Sequence, residues 1–374
     1  MNDLYEALMS HEDQGAALAR VCAVHRDKWE LLFASQPLKP GQNPSSLALS
    51  QPLIAELSGT LRRVAVSPVD FPVVGDWVAA LPPETGGSLT ARILAVLPRK
   101  SLLVRKRPGD IENDAVVEQA LAANVDIALL AMGVDGNFSL RRLERYLTLS
   151  WDSGAKPVII LTKADLAGLD DLPSLEERLA EIEAVAFGSK VIATSAYTGS
   201  GLAELRALLA PGTCSILLGS SGVGKSRLLN ALAGTELQAE GTTRAYDGKG
   251  KHTTSSRRLV VLPWGAFLVD TPGMRELQLW GDEDTLASTF PDVELFATAC
   301  RFGDCAHGNE PGCAVRAALD SGELSLDRFE SWDRLRREFL FLERKTDTGA
   351  ARAEREKWKV IARSQKTLKK VRGY

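Results

Sequence analysis

Gly219-Ser220-Ser221-Gly222-Val223-Gly224-Lys225-Ser226 follows the apolar run Ser215-Ile216-Leu217-Leu218 and leads into Arg227-Leu228-Leu229-Asn230-Ala231-Leu232. A buried strand, a GxxxxGKS loop and a helical run in that order define an α/β phosphate-binding unit. Its glycines let backbone N–H groups wrap round phosphates, and the following helix points its positive end at them. Lys225 is expected to neutralise the β- and γ-phosphates, and the Ser226 hydroxyl to complete a Mg²⁺ shell. The segment predicts a nucleoside triphosphate site.

Working upstream, Thr162-Lys163-Ala164-Asp165 closes the strand-like run Ile159-Ile160-Leu161. An [NT]KxD tetrapeptide at a strand end reads guanine, because its Asp accepts from N1–H and the 2-amino group. Adenine supplies neither, and an unmatched carboxylate is costly. Thr162 stands where Asn is commoner. One strand and helix later, Ser195-Ala196 follows Val191-Ile192-Ala193-Thr194 and matches the short element whose backbone supports the base.

Downstream, Asp270-Thr271-Pro272-Gly273 supplies DxxG, with Asp270 expected to act on Mg²⁺ through water and the Gly273 N–H to sense the γ-phosphate. The polar stretch Gly248-Lys249-Gly250-Lys251-His252-Thr253-Thr254 is the candidate switch, with Thr253 or Thr254 as γ-phosphate and Mg²⁺ ligand. Met274 occupies the position where a water-orienting Gln stands in Ras-like enzymes. A thioether orients water poorly, so His252 is the candidate catalytic base, with Lys225 and Thr254 beside it in the expected machinery. An ordinary domain of this type runs P-loop, switch, DxxG, NKxD, SA. Here the last two come first, which is a circular permutation of one sheet. It places the switches directly before the C-terminal residues, so loss of the γ-phosphate is expected to move the C-terminal region.

That region holds Cys300, Cys305, His307 and Cys313 within fourteen residues, with Gly303, Gly308, Pro311 and Gly312 for turns. Three thiolates and an imidazole form a tetrahedral structural zinc set. Cys22 and Cys214 are isolated, and His11 and His25 have no ligand-spaced neighbours.

At the other end, Leu61-Arg62-Arg63-Val64-Ala65-Val66, Asp76-Trp77-Val78-Ala79-Ala80-Leu81 and Ala91-Arg92-Ile93-Leu94-Ala95-Val96-Leu97 read as short strands between Pro and Gly breakers. They suggest a small β-barrel or sandwich; an oligonucleotide-binding (OB) barrel fits the length, but strand counting does not select it. The expected layout is an N-terminal extension and barrel over 1–112, a permuted α/β nucleotide domain over 113–280, and a helical zinc-binding domain with a basic tail over 281–374.

The permuted order followed by the Cys/His cluster resembles the bacterial ribosome small-subunit-dependent GTPase A family. The resemblance rests on the motifs above and on Pro72-Val73-Val74-Gly75-Asp76-Trp77-Val78, Ala122-Ala123-Asn124-Val125-Asp126 and Leu140-Arg141-Arg142-Leu143-Glu144-Arg145-Tyr146. It implies an OB-fold, a permuted GTPase domain and a zinc domain that dock on the 30S subunit and its 16S rRNA. It also implies subunit-stimulated GTP hydrolysis to GDP late in 30S maturation, with His252 catalytic and Met274 in the hydrophobic Gln replacement. Departures are the extended N-terminus before about residue 40, Arg227 where a second hydroxyl is common, and Lys251 for Arg. Competing readings are a large-subunit permuted GTPase, an RNA assembly scaffold with negligible hydrolysis, and a metabolic P-loop kinase.

Of the 374 residues 45% are hydrophobic and 25% charged, which excludes a disordered chain or a coiled-coil rod. No apolar run reaches the roughly 18 residues of a membrane span, and the acidic start lacks a secretory pattern; a cytoplasmic monomer is expected. The net charge of −3 argues at first against a nucleic-acid partner. Its distribution reverses that reading. From Arg344 onward there are eleven Lys or Arg against three acidic residues, a net +8 that leaves −11 to the rest. With the smaller cluster Arg99, Lys100, Arg105, Lys106 and Arg107, this tail is a candidate rRNA grip, and Trp358 a candidate stacking surface.

Overall fold

The computed structural model describes residues 2–83, 89–106, 118–186, 188–235, 257–271, 283–308 and 310–346. They fall into two compact units, the second built on the described residues from 283 onward.

The first unit begins with helix α1 (Asn2–Met9), then strands β1 (Ala17–Val24), β2 (Trp29–Phe33) and β3 (Leu53–Leu57), helix α2 (Gly59–Val64), and strands β4 (Trp77–Leu81) and β5 (Ala91–Val96). The five strands pair in the order β1-β2-β3-β5-β4, and β4 returns to β1, so the sheet closes into a barrel. Only β3 and β5 run parallel within it. Alternation sorts the side chains. Ala19, Val21, Leu31, Phe33, Val78, Ala80 and Ile93 fill one core, while Leu18, Trp77 and Ala79 face the other way and pack with Leu4 and Leu8 of α1.

Two expectations are corrected here. The stretch read as a strand from Leu61 is helical through Val64. Ser58 caps it by accepting from the Leu61 N–H, and Leu61 packs against the barrel core while Arg62 and Arg63 stay outside it. A three-residue apolar pattern cannot separate strand from short helix; the cap decided it. The supposed extension before residue 40 also contains β1 and β2, two of the five barrel staves.

A two-stranded sheet of β6 (Leu102–Lys106) and β7 (Glu118–Ala123) is followed by β8 (Ile127–Gly133), α3 (Leu140–Ser153), β9 (Lys156–Thr162), α4 (Leu175–Ala186), β10 (Lys190–Ala193), α5 (Leu202–Leu208), β11 (Cys214–Gly219), α6 (Lys225–Ala233), β12 (Arg258–Val261) and β13 (Phe267–Asp270). The order β10-β9-β8-β11-β13-β12 is parallel except for the edge pairing of β12. Parallel strands covered by helices must be apolar on both faces, and β8 and β11 are buried throughout. Ser139 caps α3, and Ser174 and Glu177 exchange the two bonds of a capping box before α4. From β8 the chain winds outward through β9 to β10, then returns to β11 on the other side of β8. The boundary between β8 and β11 is therefore a topological switch point, where loops at the strand ends open a crevice. The far edge, β12, pairs with β1 of the barrel at Ala23 and Arg258, making one eleven-stranded sheet.

The second unit contains α7 (Glu283–Thr289), α8 (Pro291–Ala297), α9 (Ala314–Ser321) and α10 (Leu326–Thr346). Phe290, Val293, Val315, Trp332 and Leu335 form its core, and Arg328 joins Asp292 and the Thr289 carbonyl across it.

Candidate functional site

The loop from Gly219 to Lys225 joins the end of β11 to α6. Gly222 and Gly224 have φ of 79° and 102°, left-handed values that favour glycine. At Gly219 an added Cβ would lie 2.9 Å from the Ala131 carbonyl oxygen, so the loop starts tight against β8. Lys225 is buried, its Nζ 2.7 Å from the carbonyl oxygens of both Gly219 and Ser220. Burial, partly opposed by the Asp270 carboxylate, pushes its ammonium down to about 8. Ser226 is half-buried, while Ser221, Gly222 and Arg227 are exposed.

The guanine-reading segment meets this loop. Thr162 Oγ1 lies 2.6 Å from the Val223 carbonyl oxygen and 3.0 Å from that of Met132. Thr162, standing where Asn is commoner, thus ties β9 to the P-loop through its hydroxyl. Lys163 Nζ donates to the Gly222 carbonyl at 2.8 Å. Asp165 is exposed in the short helical turn beyond it. The Ala164 N–H bonds to the Thr194 carbonyl, bringing in the Ser195-Ala196 loop, where Ser195 Oγ accepts from the N–H groups of Tyr197 and Thr198. Gly201 closes that loop; a Cβ there would run into the Ala193 carbonyl oxygen. Asp270 ends β13 beside β11, and Thr271 Oγ1 bonds to the Leu217 carbonyl. The structure thus brings together the P-loop, the TKAD and SA loops and Asp270. His252, Thr253, Thr254, Gly273 and Met274 lie outside the described residues.

In the second unit, Cys300, Cys305, His307 and Cys313 bring their ligand atoms within 4.8 Å of one another. His307 Nδ1 is 3.6 Å from the sulfurs of Cys300 and Cys313, which are 3.9 Å apart. A tetrahedral ion with bonds of about 2.3 Å to sulfur and 2.0 Å to nitrogen requires edges of about 3.8 and 3.5 Å. The donors fit a metal ion, with Nδ1 as the imidazole ligand. His307 itself adopts φ 59° to turn inward, and its ring packs against Trp332.

Residues 96–280 match the family model described as RsgA GTPase. The small ribosomal subunit biogenesis GTPase RsgA of Opitutus terrae is 44% identical over 328 residues, covering 86% of this chain and 87% of that protein. Another relative, RsgA 2 of Listeria monocytogenes, is 42% identical over 358 residues, covering 96% of this chain and 93% of its own. This chain belongs to the RsgA GTPase family. The crystal structure of YjeQ from Thermotoga maritima aligns with it at a TM-score of 0.59 and 27% identity, covering 87% of this chain and 99% of that one. YloQ, whose structure is described as a circularly permuted GTPase, shares the fold at a TM-score of 0.57 and 22% identity.

Residues outside the motifs also meet these loops. The loop after β8 places Asp135 Oδ2 2.6 Å from Lys163 Nζ. Asn137 and Arg142 both reach Ser220 Oγ, at 3.3 and 3.1 Å. Their signal was the β8 strand end on the far side of the switch point, which only the strand order makes a neighbour of the P-loop.

Three members of the proposed basic cluster, Arg99, Lys100 and Arg105, have partners within the fold. Arg99 spends its guanidinium on the fully buried Asp76 and on the carbonyls of Val69 and Phe71. Lys100 pairs with Asp126, and Arg105 binds the Gln119 amide. Arg99 is therefore a structural clamp of the barrel, not part of a free cationic surface. Arg107, Trp358 and the basic tail beyond residue 346 lie outside the described residues. Among the described residues no helix is long and apolar enough to cross a membrane.

Proposed function

We propose that this chain hydrolyses GTP to GDP and phosphate on the 30S ribosomal subunit during late small-subunit maturation; its relatives are named small ribosomal subunit biogenesis GTPases. The observation that carries the nucleotide part is the joining of the guanine-reading strand to the phosphate loop through Thr162 Oγ1 and the Val223 carbonyl. One rigid crevice then spans base and phosphates.

In this reading Asp165 accepts from the guanine edge, and the Ser195-Ala196 backbone supports the base. The N–H groups of the 219–226 loop cradle the phosphates, and Lys225 leaves its carbonyl partners to neutralise them. Ser226 and Thr254 would hold Mg²⁺, with Asp270 assisting through water, and the ion would supply charge neutralisation to the phosphates. His252 orients or deprotonates the attacking water, since Met274 cannot. The Gly273 N–H and Thr253 contact the γ-phosphate. The metal held by Cys300, Cys305, His307 and Cys313 is zinc, in a structural role, because no ligand position is left open. 16S rRNA is the macromolecular surface, gripped by barrel and basic tail, and the protein acts as a cytoplasmic monomer.

GTP turnover measured with and without purified 30S subunits tests the reading. Cleavage accelerated by the subunit is expected; no cleavage in either condition overturns it and leaves an assembly scaffold.

A further inference from the structure

Asp135 lies in no nucleotide motif, yet its carboxylate sits inside the crevice. It follows β8 by two residues, opposite the P-loop across the switch point. Oδ2 holds Lys163 Nζ at 2.6 Å, and the same ammonium reaches the Gly222 carbonyl at 2.8 Å. Oδ1 accepts from the Asn137 N–H at 3.1 Å and from Asn137 Nδ2 at 3.3 Å. The backbone makes room for this group. A Cβ at Gly133, the last residue of β8, would collide with Asp135 Oδ1. The loop is pinned independently to the phosphate loop, because Asn137 Oδ1 and Arg142 Nη1 both meet Ser220 Oγ.

Lys163 is the odd residue in this arrangement. Its backbone takes φ 59°, an unfavourable left-handed conformation for a side chain of this kind. The stem runs from the guanine-reading loop to the P-loop, two residues before Asp165. It thus forms one wall between the base site and the phosphate site. Two of its three ammonium protons are committed to Asp135 and Gly222.

We infer that Asp135 is a positioning residue for guanine nucleotides, holding Lys163 across the crevice so that the lysine wall is in place before the nucleotide arrives. The inference rests on the GTP-binding reading above. An exposed lysine–carboxylate pair shifts an equilibrium by about fivefold at most, because water competes and two long side chains must be ordered. Here each group is less than a third exposed and is also held by a second partner. The preorganisation is therefore worth more than the pair alone. Burial would raise the Asp135 carboxyl, but the Lys163 ammonium and the Asn137 amide outweigh it and hold it below the ordinary value. The Asp135 carboxylate therefore stays ionised through the neutral range.

The test is binding and dissociation of a fluorescent GDP analogue on the full chain, together with steady-state GTP turnover on 30S subunits. Asp135→Asn keeps shape and an acceptor but removes the charge. It is expected to weaken GDP and GTP alike by about tenfold, mainly through faster release, so that KM rises about tenfold while kcat moves less than twofold. Lys163→Ala is expected to weaken binding similarly, and the double variant to be no weaker than Lys163→Ala by more than about twofold, as two residues acting through one contact require. Additive losses in this cycle would assign Asp135 a general structural role and overturn the inference. So would unchanged affinity in Asp135→Asn. Acetylation of Lys163 relative to the other lysines of the chain, followed by peptide mass spectrometry, gives a readout local to this contact. It should quicken several-fold in Asp135→Asn, and an unchanged rate also overturns the proposal. If Asp135→Asn does not fold, Asn137→Ala removes the Nδ2 bond to the carboxylate together with the Oδ1 contact to Ser220, and leaves the backbone N–H bond to Asp135. An affinity loss of about threefold is expected, and none would overturn the assignment. Failure of the wild-type chain to bind the GDP analogue would instead remove the GTPase reading itself.

Discussion

The guanidinium carbon of Arg20 stands 4.4 Å from the ring centroid of Phe267 and 4.8 Å from that of Trp77. Arg20 belongs to the barrel strand β1, and Phe267 opens β13, the strand that ends at Asp270. The cation is fully buried, and no oxygen or nitrogen acceptor among the described residues meets its nitrogens. Beside it burial pushes the Cys214 thiol up, so the neighbouring sulfur is neutral. Two π-faces, the Cys214 sulfur and the charge of the Asp76 carboxylate surround the cation where the barrel meets the nucleotide sheet.

Two desolvated cation–π contacts of about 2 kcal/mol each oppose a desolvation cost of several kcal/mol for the buried ion. Arg20→Met fills much of the volume without a charge and is expected to lie within about 1 kcal/mol of wild type. Arg20→Ala leaves a cavity and should lose about 2–4 kcal/mol. Denaturant unfolding followed by tryptophan fluorescence separates them; a larger loss in Met than in Ala would contradict the π-face account.

Lys225 makes nucleotide binding depend on pH. Its ammonium sits at about 8 in the folded, nucleotide-free chain against a usual 10.5. Between those values the unfolded chain binds more protons, so stability rises with pH across the window and the burial penalty is full below about pH 8. A triphosphate favours the charged lysine and reverses the shift. Titration calorimetry near pH 9, in buffers of different ionisation enthalpy, should show uptake of most of one proton per nucleotide. Lys225→Ala should abolish triphosphate binding, and the absence of uptake in the wild type would refute the recharging step.

His252→Ala is expected to leave the nucleotide dissociation constant within about twofold while slowing 30S-stimulated turnover by roughly 10²–10⁴, the range for a lost general base. Equal turnover of variant and wild type would assign the hydrolytic step to another group.

The Cys₃His cluster is expected to carry about one zinc per chain, since binding energy of roughly 10–16 kcal/mol is typical of structural sites. Metal analysis of Cys305→Ser should show that content largely lost, with a lowered melting transition of the helical unit. Unchanged content would exclude Cys305 as a ligand.

Much of the nucleotide site was legible in the chain because its parts are local. Gly219 to Ser226, Thr162 to Asp165 and Asp270 each sit at a strand end, where a few adjacent residues carry both backbone shape and chemistry. The Cys/His cluster was legible for the same reason, its four donors being spaced by turns. Asp135, Asn137 and Arg142 were not. Their distance from the P-loop is about eighty residues in sequence but a hydrogen bond in space, and only the β8–β11 pairing makes them neighbours. Charge was misread in the other direction. Arg99 looks like part of a basic patch until Asp76 folds against it.

The sequence by itself determined the permuted order of nucleotide motifs, the metal donor set and the alternation of strand and helix, because these depend on covalent spacing and local hydrogen bonding. Tertiary structure alone decided that residues 17–33 are barrel rather than extension, that the barrel joins the nucleotide sheet through β1 and β12, and that Asp135 faces Lys163. Those outcomes depend on which strand edges pair. Pairing is chosen by burial summed over the whole sheet, a quantity that no single stretch of residues contains.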